Sequence, residues 1–283
     1  MVDLLEVVVS MLCHEVSFSG VRHSEWLAFG FFVWLVGASW VRGLPSVNRW
    51  QITLGGLLMC VAMVVVARLA PPFVRDWAPG PYILVGYFLS GRLFASPTLS
   101  MERWLAAWDA RLLGNPATRF LRWPRWLLAY LEVVYMGCFL LVPAGLVALM
   151  WTGHEALANR FWTMVVAAEF GAFAPLAIVQ TRPPWALEPG VRLRDDGVHR
   201  VATSFVQHGT IGANTFPSGH VAGSLTVALA VIGTLPWVGA VLLVAAASIS
   251  VACVVGRYHY VVDVAAGAVM ALGIWAAVAW SGV

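Results

Sequence analysis

The chain has 283 residues, of which 60% are hydrophobic and only 11% are charged, and its formal net charge is +3. Single soluble cores stop growing near this length, so this much apolar sequence excludes an ordinary soluble domain and predicts a helical membrane protein. All 17 basic residues are arginine, but no basic run resembles a nucleic-acid-binding stripe, and four scattered cysteines indicate neither a disulfide framework nor a metal site.

Apolar runs that approach the length of a bilayer crossing follow one another along the chain. They predict eight transmembrane spans: Trp26 to Val41, Ile52 to Ala70, Tyr82 to Ala95, Trp126 to Trp151, Phe161 to Gln180, His220 to Leu235, Val238 to Val255 and His259 to Trp280. The third run is short and contains Arg92, so a re-entrant segment is an alternative that would leave seven spans. The predicted fold is an all-α, polytopic transmembrane helical bundle.

Two segments outside these runs are predicted to lie at the membrane surface. Residues Met1 to Gly20 lack a basic amino-terminal stretch, which argues against a cleavable signal peptide and favours an interfacial helix. In Met101 to Gly114 the helical period places four apolar residues on one face: Trp104, Leu105, Trp108 and Leu112. A connecting helix packed on the bundle explains this second pattern equally well.

Ionisable residues inside the apolar runs are the first candidates for function, because a charge in hydrocarbon is costly. His259 and Asp263 are four residues apart, which on a helix would place them on one face. The carboxylate would then accept a hydrogen bond from one imidazole nitrogen and leave the other nitrogen free as a base or nucleophile. A structural hydrogen bond and a pair of metal ligands are the alternatives. Glu132 and Glu169 are expected to face the bundle interior for the same reason of cost.

A second polar cluster, Pro217-Ser218-Gly219-His220, follows the long polar segment from Thr181 to Phe216. Pro217 suits the first turn of a helix, whose free backbone N–H groups would attract an anion. His220 would stand where it can protonate a leaving oxygen. Arg182, at the end of the preceding span, can grip phosphate oxygens through two parallel hydrogen bonds. Each feature alone has a structural explanation, but their order at span boundaries favours a phosphate site.

These three motifs resemble the active-site motifs of the type-2 phosphatidic acid phosphatase superfamily, which contains membrane lipid phosphatases and phosphotransferases. The resemblance covers the chain from about Tyr82 onward. It implies a six-helix catalytic core in residues 79–283, preceded by an amino-terminal region, residues 1–78, with two transmembrane helices. The expected partners are the membrane and a lipid phosphate or phospholipid substrate, with a lipid alcohol as an optional acceptor, and neither a metal nor another cofactor is expected.

The resemblance also implies a role for each motif residue. His259 would be the nucleophile that forms a phosphohistidine, Asp263 would orient it, and His220 would be the general acid for the leaving group. Arg182, Ser218 and Gly219 would hold the phosphoryl oxygens. An intramembrane serine hydrolase that uses Ser218 is disfavoured, because the glycine-flanked nucleophile turn is missing.

The chain departs from the family pattern at two phosphate-binding cations. Pro175 stands seven residues before Arg182, where the family has Lys, and Cys253 stands six residues before His259, where the family has Arg. Arg257 is a candidate replacement at a different offset. This shortened third motif is similar to the inositol-phosphorylceramide synthase branch, whose members move a phospho-head-group between lipids.

Charge counting leaves the reaction type open. Fewer cations suit a phosphodiester, which carries one negative charge, whereas arginines of the long polar segment are potential substitutes for the missing pair: Arg192, Arg194 and Arg200. Phosphatase and phosphotransferase therefore stay level, and a non-catalytic lipid-binding or transport relative is the alternative. The positive-inside rule places the site on the cytoplasmic side. The resemblance implies the opposite, and we expect a multi-pass protein of the cell (inner) membrane with an extracytoplasmic site.

Overall fold

The computed structural model describes residues 20–188, 201, 204 and 209–281. In chain order its helices are α1 (His23–Val41), α2 (Ser46–Leu69), α3 (Pro72–Trp77), α4 (Pro79–Gly91), α5 (Leu99–Leu113), α6 (Pro116–Arg119), α7 (Arg125–Met136), α8 (Cys138–Trp151), α9 (Ala158–Phe173), α10 (Pro184–Leu187), α11 (Gly219–Ile232), α12 (Pro236–Val255) and α13 (Val261–Ser281). Within these ranges no strand forms, and one isolated bridge joins Thr181 to Asn214. The predicted all-α bundle is confirmed. The interfacial helix predicted at the amino terminus falls almost entirely outside the described residues.

Four of the described helices are long and apolar enough to cross a membrane, namely α1, α2, α12 and α13. The pair α7 and α8, bent by 60°, makes a fifth candidate if it counts as one span. Eight full-length spans are therefore not found, because three of the predicted runs form the shorter helices α4, α9 and α11, of 13, 16 and 14 residues. At about 1.5 Å per residue these helices reach roughly 20–24 Å, which is less than the hydrocarbon thickness of about 30 Å.

The two amino-terminal helices pack against the rest of the bundle. Phe31 of α1 stacks on Phe170 of α9, with ring centroids 3.9 Å apart and an angle of 5° between the ring planes. Phe32 meets the same ring edge-on at 5.8 Å. One cluster of buried apolar side chains thus joins α1, α4, α9 and α11. The proposed division of the chain after residue 78 stays a prediction.

The face of helix α5 that packs on the bundle is only partly the face that its pattern of apolar residues predicts. Its buried residues are Glu102, Leu105 and Asp109, whereas Trp104 and Leu112 are exposed. Leu105 therefore packs inward, as the connecting-helix alternative expects, and contact of Trp104 and Leu112 with the membrane surface stays a prediction. The two buried carboxylates pair with arginines, Glu102 with the partly exposed Arg182 and Asp109 with the buried Arg257, so ion pairing as well as apolar area decides which face of α5 turns inward.

Helix α13 approaches the start of α11 closely at Gly267. A Cβ atom at this position would stand 2.7 Å from the carbonyl oxygen of Ser218 and 3.3 Å from the backbone nitrogen of Ala222. The Ser218 N–H also donates to the carbonyl oxygen of Asp263 at 3.0 Å. Gly267 therefore permits the contact that brings the two histidine-bearing segments together.

We predict that Gly267→Ala destabilises the protein by about 1–3 kcal/mol, because backbone atoms of α11 cannot move aside as a side chain can. The matched control is Gly273→Ala in the same helix, where nothing lies within 4 Å of the added Cβ. Thermal unfolding of both variants in detergent checks the prediction. Equal unfolding temperatures for the two variants would contradict it.

Candidate active site

The structure brings together the three predicted catalytic residues. His259 Nε2 lies 3.4 Å from His220 Nδ1, and His259 Nδ1 lies 3.5 Å from Asp263 Oδ2. His259 is 4% exposed and Asp263 is fully buried. The two imidazole nitrogens of His259 thus face different partners: a carboxylate on one side and a second imidazole on the other.

The local structure around His259 differs from the predicted one. Helix α13 begins at Val261, so His259 lies in the preceding turn and does not share a helix face with Asp263. Asp263 is the third residue of the helix, and its Oδ2 accepts the Tyr260 N–H at 2.9 Å. An acidic residue at this position of a first turn commonly accepts the N–H of the residue that caps the helix. This capping contact, rather than helical spacing, brings the carboxylate back towards His259.

Asn214 is a site residue that the sequence analysis missed. Its Nδ2 donates to Asp263 Oδ2 at 2.9 Å and to Thr181 Oγ1 at 3.0 Å. Asn214 is 1% exposed. Asn214 lies three residues before Pro217, which places it near a predicted motif, but nothing in the local sequence indicates that its amide bonds to a residue 49 positions away. Asn214 fixes the orientation of the carboxylate and ties it to the segment that precedes Arg182.

The start of α11 is more internally bonded than predicted. Pro217 lies outside the helix, and Ser218 is its N-cap, with a side-chain oxygen that accepts the Val221 N–H at 3.5 Å. The Gly219 N–H donates to Thr215 Oγ1 at 3.3 Å, and the Ser218 N–H donates to Asp263 as described above. The N–H groups of Ser218 and Gly219, expected to be free for an anion, therefore both have acceptors within the protein.

Aromatic side chains hold His220 in place. Tyr135 stacks on its ring at 4.9 Å with an interplanar angle of 21°, and Phe139 meets it edge-on at 5.8 Å. Tyr258 stacks in turn on Tyr135 at 3.9 Å. The Nε2 atom of His220 is buried and has no hydrogen-bond partner among the described residues. These contacts fix the ring plane while one nitrogen stays available for proton transfer.

The two histidines line a cavity of about 330 Å³. Its polar lining includes Tyr87, Tyr135, Glu169 and Thr215, and its apolar lining includes Ile83, Leu84, Phe139, Val142 and Phe173. Among the described residues that line it, none is an arginine. Within the described ranges, no group of three or more His, Cys, Asp or Glu side chains is arranged to hold a metal ion.

Glu169 is the carboxyl group that lies in the cavity wall, as expected for an interior position. Its side chain rests against α11 at two glycines: a Cβ at Gly223 would stand 2.0 Å from Oε1, and a Cβ at Gly219 would stand 3.5 Å from Oε2. Glu132, by contrast, is 6% exposed and borders a separate, smaller pocket beside Tyr258. Of the two, only Glu169 shares the cavity with the histidines.

Arg182 and Arg257, the two predicted phosphate-binding cations, both bind carboxylates of the protein. Arg182 donates from Nε and Nη2 to the two oxygens of Glu102 at 3.0 and 2.9 Å. Arg257 donates from Nη1 to Asp109 Oδ2 at 2.8 Å and from Nη2 to Glu188 Oε1 at 2.8 Å. Neither arginine lines the cavity. The three acidic partners were not identified from the sequence, and the loop arginines Arg192, Arg194 and Arg200 lie outside the described residues.

The hydrogen bonds from Arg182 lower the pKa of the Glu102 carboxyl below its usual range. A lowered folded-state pKa means that the pair stabilises the protein above the ordinary carboxyl pKa of about 4.3, and that this stabilisation is lost as the pH falls through the lowered value. We therefore predict that Glu102→Gln lowers the unfolding temperature at pH 7 and that the difference from the wild type disappears in acid. Thermal unfolding across pH 3–7 measures this, with the exposed Glu155→Gln as control. A difference that persists unchanged in acid would argue against the pair as its source.

Comparison with known proteins gives one result. A family model described as the PAP2 superfamily matches residues 103–277, which is more than half of the chain. The matched range contains the three catalytic candidates and all four predicted phosphate-binding residues. No curated protein and no solved structure matches the chain.

Proposed function

The chain belongs to the PAP2 superfamily, and we propose that it is a membrane-embedded enzyme that transfers the phosphoryl group of a lipid phosphate ester through a phosphohistidine on His259. Family membership supports lipid phosphoryl transfer at the coarse level. The observation that carries the finer proposal is the His220–His259–Asp263 arrangement at the wall of a largely apolar cavity.

We assign a separate role to each of the two imidazole nitrogens of His259. With Nδ1 of His259 directed at the Asp263 carboxylate, Nε2 is the free nucleophile, and the carboxylate stabilises the positive charge that develops on the ring. Attack of Nε2 forms the N–P bond while the P–O bond to the leaving alcohol breaks, and His220 gives its proton to that oxygen. In the second step a hydroxyl attacks phosphorus, the N–P bond breaks, and His220 takes the hydroxyl proton back.

The two rings must separate before this reaction occurs. A reacting phosphorus sits about 3–3.5 Å from the nucleophile, and in-line displacement puts the leaving oxygen on its far side. His220 lies only 3.4 Å from His259 Nε2, so it occupies the space that the phosphoryl group needs. We infer that the substrate enters between the rings and displaces the His220 ring, while the turn keeps His259 in its position.

The cavity wall supports a lipid substrate. Leu84 and Phe139 line the cavity and are 53% and 46% exposed, so they offer apolar surface to an acyl chain. A volume of about 330 Å³ suits a head group with the adjoining part of a chain rather than a whole phospholipid. We also propose that the protein resides in the cell inner membrane, with the site facing away from the cytoplasm.

The acceptor distinguishes two versions of the enzyme, because water gives a phosphatase and a lipid alcohol gives a phosphotransferase. A guanidinium has five N–H donors, so we propose that Arg182 and Arg257 contact the phosphate with the N–H groups that their carboxylate partners leave free. Ser218 and Gly219 would contribute through the positive end of α11. None of the described residues that line the cavity is an arginine, and this favours a singly charged phosphodiester as substrate. Such a substrate is in keeping with an inositol-phosphorylceramide synthase-like transferase.

We predict that His259→Ala lowers the turnover rate by about 1,000-fold or more, because it removes the group that forms the covalent intermediate. The assay follows release or transfer of labelled phosphate by purified protein in a chelator, with quenching to trap the phosphohistidine. His23→Ala, which changes an exposed histidine at the start of α1, is the matched control. Activity that survives His259→Ala would refute the nucleophile, and a strict need for an added divalent ion would refute the metal-free mechanism.

A product analysis separates the two versions and the non-catalytic alternative. One arm offers phosphatidylinositol with ceramide, and the other offers phosphatidic acid alone. We expect faster His259-dependent turnover in the diester arm, because that donor brings less negative charge to a cavity whose described lining lacks arginine. Faster release of inorganic phosphate from phosphatidic acid would instead identify a phosphatase. Lipid binding without a product in either arm would support a binding or transport relative.

A further inference from the structure

The turn that carries His259 is held in an unusual backbone conformation. It connects α12 to α13, and within it Arg257 has a φ of 59°, in the left-handed region that residues other than glycine rarely adopt. The N–H groups of Tyr258 and His259 both donate to the carbonyl oxygen of Cys253, at 2.9 and 3.0 Å. Such a conformation persists only where surrounding contacts over-determine it. The contacts that hold this turn therefore control where the His259 side chain stands.

Asp109 of α5 binds the turn on both sides of His259. Its Oδ2 accepts from Arg257 Nη1 at 2.8 Å, and its Oδ1 accepts the backbone N–H of Val261 at 2.9 Å. These two residues lie two positions before and two positions after His259. Asp109 is 2% exposed and Arg257 is 5% exposed, so little solvent competes for either group. One carboxylate thus spans the five-residue segment that has His259 at its centre.

Glu102 makes the equivalent contact one segment away, which shows that the arrangement is a property of α5 rather than of a single side chain. It accepts the Arg182 backbone N–H at 2.8 Å as well as the guanidinium of the same residue. Glu102 and Asp109 are seven residues apart, two helical turns, and share the buried face of α5. Each carboxylate therefore binds one arginine and one backbone N–H of a predicted motif segment.

We propose that Asp109 is a positioning residue for the nucleophile, acting through Arg257 and the backbone at Val261. The proposal rests on the phosphohistidine mechanism proposed above. Loss of the carboxylate leaves Arg257 bound to Glu188 alone and frees the start of α13, so the turn relaxes and His259 Nε2 leaves the line of attack. A displacement of about 1 Å at a reacting group costs on the order of 100-fold in rate.

The test compares Asp109→Asn with Glu25→Gln. Glu25 is the matched control because it is 6% exposed, binds Arg75 with both oxygens and accepts the Arg22 backbone N–H, all in the amino-terminal part of the bundle. For the substrate that the wild type turns over fastest, we expect Asp109→Asn to lower kcat by about 10- to 100-fold with little change in KM. Glu25→Gln should leave kcat unchanged while lowering the unfolding temperature by a similar amount. A kcat for Asp109→Asn within twofold of that for Glu25→Gln would overturn the proposal.

A second variant keeps the test decisive if Asp109→Asn does not fold. Val261→Pro removes the backbone N–H that donates to Asp109 and leaves the carboxylate and its bond to Arg257 in place, at the first position of a helix, where proline is well tolerated. We expect a smaller fall in kcat, again with KM preserved, and an unchanged kcat would overturn the proposal. Trapping of the phosphohistidine in the wild type separates the two hypotheses. If no phosphohistidine forms, the proposed mechanism fails; if it forms and both variants turn over normally, only the role of Asp109 fails.

Discussion

The site depends on the need to satisfy one buried carboxylate. Asp263 is fully removed from solvent, and an ionised group in that environment is costly unless donors surround it. Its Oδ2 receives the Tyr260 N–H and the Asn214 amide, and its backbone oxygen receives the Ser218 N–H. These donors come from the turn before α13, the loop after residue 209 and the cap of α11. Hydrogen bonds to one residue, through its carboxylate and its backbone oxygen, thus bring both histidine-bearing segments to the same place.

Arg257 is also a buried charge that needs partners, and the contacts that satisfy it fix the backbone of the turn. Arg257 is buried, and it is held in place by two carboxylates from distant parts of the chain, Asp109 and Glu188. Its left-handed conformation sets the path of the turn, and the Trp185 N–H donates to its carbonyl oxygen at 3.0 Å. A buried ion pair between distant parts of the chain holds those parts together, because separating its members would leave buried charges without partners, which is strongly destabilising.

The apolar runs predicted the all-α bundle, and the order of the three motifs together with the family resemblance predicted the meeting of His220, His259 and Asp263. The sequence did not predict the partners of Arg182 and Arg257. Those pairs join residues 80 and 148 positions apart, and nothing local to Glu102 or Asp109 distinguishes them from solvated acidic residues. The start of α13 at Val261 was also missed, because Tyr260, whose N–H Asp263 accepts, is not one of the residue types that mark a helix N-cap. Apolar composition does not show where a helix ends, so three runs that form the shorter helices α4, α9 and α11 were counted as full-length spans.

The geometry also bears on the choice between water and a lipid alcohol as acceptor. His259 is almost completely buried, so a hydroxyl reaches a phosphohistidine at this position through the cavity. Ile83, Leu84, Phe139 and Val142 make much of that lining apolar, and an apolar surface binds water weakly while it stabilises a lipid chain. The catalytic residues needed for either acceptor are the same. For the proposed enzyme, the choice between hydrolysis and transfer therefore depends on how readily water fills the cavity, and the side chains that line the cavity control it more than the histidines do.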